Sequence, residues 1–197
     1  MEIEEVKAYY EKRTSYHEGY FKNKNSRTVV LLKMIDKISD EIGFKSALDI
    51  GCGVGITSEH LRKCAKKVTA IDLAEKAITV AKERNIYSDV NYISGDFTEM
   101  KLNEKFDFVC LFDVLEHILP QHRKDFLNNV IEHCNNIVAV SIPNPNNTKK
   151  LKSLNPKILQ IVDEEITEDC FNNFTILDKS GNSIYLYYLL EIKNRKL

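Results

Sequence analysis

The chain of 197 residues has no tryptophan, only four prolines and seven glycines, and almost no net charge: 28 basic against 29 acidic residues leave a formal −1. Near-neutrality denies it the broad field that recruits a polyanion, so nucleic acid is not the expected partner unless a local basic patch supplies the attraction. No window comes near the roughly 18 consecutive apolar residues that cross a bilayer, and no membrane partner is expected. The opening MEIEEVKAYYEKR is charged where a signal peptide needs an apolar stretch. Five cysteines, an odd count without a Cys-x-x-Cys pair, fit neither a disulfide framework nor a zinc site. They are expected as thiols in a reducing, cytoplasmic setting, and no metal site is expected. Internal repeats, low-complexity tracts and Gly/Ser linkers are missing too. What remains, 43% hydrophobic and 29% charged, is an ordinary globular composition sufficient for one core.

The chain then alternates. SRTVVLLKMIDKISDEIG puts Leu31, Ile35, Ile38 and Ile42 on one helical face, with Asn25 or Ser26 as cap and Gly43 as stop. KSALDI, KVTAID, VNYISGD, FDFVCLFD and NIVAVSI read as strands. Between them ITSEHLRKCAKK, LAEKAITVAKERN and PQHRKDFLNNVIEHC read as helices. The second buries Ala77, Ile78 and Ala81; the third buries Phe126, Leu127, Val130 and Ile131, with Pro120 near its first turn. Strands alternating with helices mean right-handed βαβ units and a parallel sheet covered on both faces. FTILD and SIYLYYLLEIK flank the turn signal KSGNS and predict a closing antiparallel hairpin. The long segment before that hairpin predicts a loop-and-helix cover.

The costliest residues are concentrated in ALDIGCGVG, residues 47 to 55, where Gly51, Gly53 and Gly55 follow the first strand. Glycine gives up more backbone freedom on folding than any other residue, so three together imply a sharp turn that something approaches closely. In open α/β sheets ligands sit beyond the carboxyl ends of the strands, where this turn lies. A phosphate-binding loop is excluded because no Gly-Lys-Ser/Thr follows, and the spacing departs from the G-x-G-x-x-G of dinucleotide sites. Asp49 beside the turn would repel a pyrophosphate but attract a cation. The second strand ends at Asp72, 21 positions after Gly51 (72 − 51), about the spacing at which a carboxylate reaches ribose hydroxyls. The third ends in SGDF, offering Asp96 to an exocyclic amine and Phe97 as a wall for a flat base. A ribose, a purine and a positively charged tail together describe S-adenosyl-L-methionine.

With LDIGCGVG, AIDLA, SGDF and FDFVCLFDVLEH in this order, the chain resembles the class I S-adenosylmethionine-dependent methyltransferases over roughly residues 26 to 142. The resemblance implies a Rossmann-like, doubly wound α/β fold with seven strands in the order 3-2-1-4-5-7-6, the last antiparallel. One domain over 1–197 is then expected: a helical cover over 1–43, a cofactor-binding half over 44–142, and a cover segment with the C-terminal hairpin over 143–197. By the same resemblance Asp49 and Gly51 face the methionine part of the cofactor, Cys52, Gly53 and Asp113 also bind the cofactor, and Asp72 binds the ribose. Leu73 and Phe97 sandwich the adenine, Asp96 takes its amino group, and Phe112 lies near the sulfonium. S-adenosyl-L-homocysteine is the implied product.

Proton removal from a hydroxyl acceptor needs a base, and FDVLEHILPQH offers Asp113, Glu116, His117 and His122. His117 and Glu116 are the expected catalytic pair, because imidazole titrates near neutrality. Asp113-x-x-Glu116-His117 is also similar to a segment of metal-assisted members, among them ubiquinone-pathway O-methyltransferases and small-RNA 2′-O-methyltransferases. Those RNA enzymes use a further histidine downstream, and none follows His133 here. A small-molecule acceptor methylated at oxygen is the reading; an RNA 2′-O-methyltransferase or a non-catalytic S-adenosylmethionine-binding protein are the alternatives. Asn144-Pro145 reads as a turn, Lys149 to Lys152 as a solvated run, and Tyr9, Tyr10, Tyr16, His17 and Tyr20 as an aromatic lid or a packed helix face.

Overall fold

A computed structural model of the chain describes residues 3–22, 26–86, 89–145 and 166–193. These fall into two compact units, Met1–Lys101 and Leu102–Leu197. Lys149 to Lys152 and most of the expected cover segment lie outside the described residues.

The first unit contains α1 (Ile3–Lys22), α2 (Ser26–Glu41), β1 (Ser46–Ile50), α3 (Ile56–Cys64), β2 (Lys67–Asp72), α4 (Glu75–Arg84) and β3 (Asn91–Ser94). β2 pairs in parallel with both β1 and β3, Leu48 lying beside Thr69 and Thr69 beside Asn91. Ala47, Leu48 and Ala70 are fully buried, as the apolar runs require of strands covered on both faces. α2 buries Leu31, Leu32, Ile35 and Ile38. Ile42, expected on the same face, is instead 48% exposed. The helix has ended by then: the N–H groups of Ile42 and Gly43 both return to the Ile38 carbonyl, and Gly43, at φ 72°, turns the chain away. α1 packs on α4, where the Glu11 carboxylate accepts the Lys76 N–H at 3.1 Å. It supplies an acceptor to a helix start whose N-cap, Ala74, has none.

The second unit contains β4 (Phe106–Phe112), a 3₁₀ turn over Leu115–His117, α5 (Pro120–His133) and β5 (Cys134–Pro143). A second 3₁₀ turn, Glu168–Phe171, precedes β6 (Phe174–Gly181) and β7 (Tyr185–Ile192). β4 and β5 are parallel, and β7 is antiparallel to both β5 and β6. The hairpin is longer than KSGNS suggests: β6 continues through Gly181, and Asn182 makes the bend. Its Oδ1 accepts the N–H groups of Ile184 at 2.7 Å and Tyr185 at 3.0 Å, an Asx turn in place of a glycine turn. Phe126, Leu127 and Val130 are buried, while Ile131 is half-buried. The strands order as β3-β2-β1-β4-β5-β7-β6, the doubly wound Rossmann-like arrangement that the resemblance implies. No helix among the described residues is long and apolar enough to cross a membrane.

Candidate functional site

The glycine turn is stapled to the strand beside it. The N–H groups of Gly51 and Cys52 both donate to the Ile71 carbonyl, at 2.8 and 3.1 Å. All three glycines are left-handed, with φ of 75° at Gly51, 53° at Gly53 and 83° at Gly55. That conformation costs other residues roughly 1–2 kcal/mol, which explains why an otherwise glycine-poor chain spends three here. Their surroundings differ. A Cβ on Gly55 would lie 2.6 Å from the Tyr92 hydroxyl, whereas one on Gly53 would meet no atom within 4 Å. Gly55 is where the turn packs on the protein; Gly53 faces open space.

Two carboxylates flank the turn and are held differently. Asp72 Oδ2 accepts the Gly53 N–H at 2.7 Å and Oδ1 accepts the Ala74 N–H at 2.8 Å, so one side chain fixes both the turn and the start of α4. Burial, more than any neighbour, raises its pKa; the two N–H bonds work against that and the Glu11 charge adds to it. Asp49 is 2% exposed and accepts the Ser58 hydroxyl at 2.6 Å. Cys52 is buried, and burial first, then Asp72 and Asp49, raise its thiol well above the usual range, so it stays protonated. Two carboxylates beside the turn make it electronegative, and a cation is the favourable guest.

Around these, Gly95 N–H donates to the Asp72 carbonyl at 3.0 Å and ties the tip of β3 to that of β2. Asp96 follows, its Oδ1 accepting the Thr98 N–H at 2.8 Å. Leu73 is half-buried; Phe97 is only 4% exposed, so no more than an edge of its ring is open to a ligand.

In the second unit β4 ends in Phe112, 9% exposed, and Asp113. Asp113 is the single described non-glycine residue with positive φ, 59°. Ser141 on β5 holds it there: the hydroxyl donates to Asp113 Oδ1 at 3.0 Å and accepts the Asp113 N–H at 3.1 Å. The bend leads into the 3₁₀ turn, which buries Leu115 and Glu116 and leaves the His117 side chain 19% exposed. Glu116 Oε1 lies 3.9 Å from His117 Nε2. Ser141 is fully buried, so Ser141→Ala is expected to cost about 1–3 kcal/mol by stranding its partners. In thermal unfolding this reads as a Tm lower by roughly 2–4 °C per kcal/mol; an unchanged Tm would mean the bend holds itself.

The first unit thus brings together Asp49, Gly51, Cys52, Gly53 and Asp72, and the second brings together Asp113, Glu116 and His117. His122 lies apart, exposed on α5. Ser58, Ser141 and Glu11 escape a reading of sequence, since a serine or a helical glutamate advertises no partner 9, 28 or 65 positions away.

Residues 47–136 match the family model described as a methyltransferase domain. The chain is similar to this family over a little under half of its length, a span that includes the glycine turn and the Asp113 bend. In particular, it is 39% identical over 93 residues to the mitochondrial ubiquinone biosynthesis O-methyltransferase of Schizosaccharomyces pombe, covering 45% of this chain and 33% of that protein. With the ubiquinone biosynthesis O-methyltransferase of Shewanella halifaxensis it shares 34% identity over 106 residues, 51% of this chain and 44% of that one. The chain thus spans less than half the length of these two curated relatives. Among solved structures, the N-methyltransferase NodS from Bradyrhizobium japonicum WM9, in complex with S-adenosyl-L-homocysteine, shares the fold. The TM-score is 0.75 at 15% identity, over 95% of this chain and 98% of that one.

Proposed function

We propose that the chain binds S-adenosyl-L-methionine and transfers its methyl group to an oxygen of a small-molecule acceptor, releasing S-adenosyl-L-homocysteine. One observation carries the reading: Gly53 is left-handed, faces open space, and has its N–H held by Asp72 at the tip of the neighbouring strand. Bare backbone that faces open space fits a ligand pressed against it. The named O-methyltransferases among the relatives support oxygen as the acceptor atom. All five cysteines are thiols, which supports a reducing, cytoplasmic setting.

Bound there, the cofactor supplies a methyl already activated as a sulfonium, which leaves alignment and proton removal to the chain. Gly51, Cys52 and Gly53 receive the methionine part, with Asp49 as a buried counter-charge beneath them. Asp72 spends one lone pair of each oxygen on the backbone and keeps the others for the ribose hydroxyls. Asp96 accepts from the adenine amino group, Leu73 and the Phe97 edge flank the ring, and Phe112 and Asp113 border the sulfonium. His117, set by Glu116, takes the acceptor's proton.

Asp72→Ala tests this. Calorimetric titration with S-adenosyl-L-homocysteine is expected to give an affinity at least tenfold below the parent, from losing roughly 1.5–3 kcal/mol of charge-assisted hydrogen bonding. Because burial lifts the Asp72 pKa, parental affinity for the cationic methyl donor falls with pH while the solution is still above the ordinary carboxylate range. Unchanged affinity in the variant would overturn the ribose assignment; binding without turnover of any hydroxylated acceptor would leave a non-catalytic binding protein.

A further inference from the structure

We infer that α2 and α3 form a metal site, separate from the glycine turn, which takes a zinc-type divalent ion on Asp36, His60 and Cys64. His60 and Cys64 are four residues apart on α3 and therefore share a face. Asp36 comes from α2, which packs against that face. One oxygen, one nitrogen and one sulfur from the three side chains lie within 4.8 Å of one another. His60 Nε2 is already 2.6 Å from Asp36 Oδ1.

The geometry is close to what an ion would impose. Zinc bonds of about 2.0–2.3 Å place tetrahedral ligand atoms roughly 3.3–3.8 Å apart, so shifts on the order of 1 Å would bring the three atoms to those separations. The thiol is weakly anchored for that movement, its Sγ 3.9 Å from the His60 carbonyl one turn back. A bound cation would hold Cys64 as a thiolate, its proton passing to solvent. His60 and Cys64 are half-buried and Asp36 exposed, which leaves the outer position for water. Mixed N, S and O donors suit zinc rather than magnesium or calcium. A plain His60–Asp36 ion pair would explain two of the residues but not a thiol placed within reach of both.

The expectation of no metal site rests on the lack of paired cysteines, a rule blind to ligands on two helices 24 positions apart. The role is structural. α3 begins directly after Gly55, so an ion that clamps α3 to α2 also steadies the turn.

The test uses metal-free full chain titrated with Co²⁺ and then Zn²⁺. Expected are one bound ion, visible d–d bands with a near-ultraviolet thiolate-to-cobalt charge-transfer band, and a Tm raised by about 5–10 °C at a hundredfold excess over Kd. Cys64→Ser removes the charge-transfer band, and Asp36→Asn, at an exposed side chain that leaves the fold intact, weakens binding about tenfold or more. Lys37→Ala changes nothing. No bound metal at micromolar free zinc overturns the site, as does a charge-transfer band that survives Cys64→Ser or an affinity indifferent to Asp36→Asn.

Discussion

Gly55→Ala is expected to lower the unfolding free energy by about 2–5 kcal/mol, whereas Gly53→Ala costs only about 1–2 kcal/mol yet abolishes cofactor binding. Both residues are left-handed and both pay the conformational cost of a side chain. They part company in what the new methyl meets. At Gly55 it strikes Tyr92 Oη at 2.6 Å and Asn85 Nδ2 at 3.0 Å. Neither can retreat: Tyr92 is 6% exposed, and Asn85 Nδ2 bridges its hydroxyl at 3.0 Å and the Ala81 carbonyl at 2.9 Å. Overpacking of this kind adds roughly 1–3 kcal/mol to the left-handed penalty, and the sum reads as a Tm about 4–20 °C lower. At Gly53 the methyl meets nothing of the protein and fills the space assigned to the ligand. Thermal unfolding and calorimetry with S-adenosyl-L-homocysteine, run on both variants, separate the two roles. A Gly53→Ala protein that binds like the parent would remove the ligand from that space.

Much of this was legible in residue order alone, for a physical reason. Strands buried on both faces must be apolar throughout, so KVTAID and FDFVCLFD announce themselves; glycine is so costly that three in five positions announce a turn. Legibility fails where a role depends on a distant partner. Ile42 continues the apolar period of α2, but Gly43 ends the helix first. Asp49 is legible as an acid beside the turn, but the Ser58 hydroxyl that holds its carboxylate is not, because that contact is set by how α3 returns onto β1. His133 resembles any other candidate base in sequence. In the fold its Nε2 accepts the Leu102 N–H at 2.9 Å and its Nδ1 faces the Asn129 carbonyl at 2.8 Å. Both nitrogens are spent on structure, with the proton assigned to Nδ1 because a carbonyl can only accept. Strand ends and turns are local facts; what a buried side chain faces is a global one.

His117→Ala is expected to reduce kcat about a hundredfold while leaving affinity for S-adenosyl-L-homocysteine nearly unchanged, the size of effect a positioned base contributes. Among the histidines whose side chains are described, the alternatives are eliminated by their settings. His133 is committed on both nitrogens, His60 pairs with Asp36, and His122 stands exposed on α5. His117 instead follows the carboxyl end of β4, the side of an open α/β sheet on which ligands bind. Its place is specified by buried neighbours. Ser141 holds Asp113 in its left-handed bend, Leu115 anchors the 3₁₀ turn at full burial, and Glu116 is sequestered beneath it at 3% exposure. A side chain needed only for packing would not be the partly open member of such a turn. Since a base must be unprotonated, parental kcat should fall on the acid side of its pH profile, and the variant's profile should lose that limb. Steady-state kinetics across pH, beside calorimetry on the same preparations, decides the matter. Equal kcat, or a loss that tracks weakened cofactor binding, would reduce His117 to a structural part of the β4 turn.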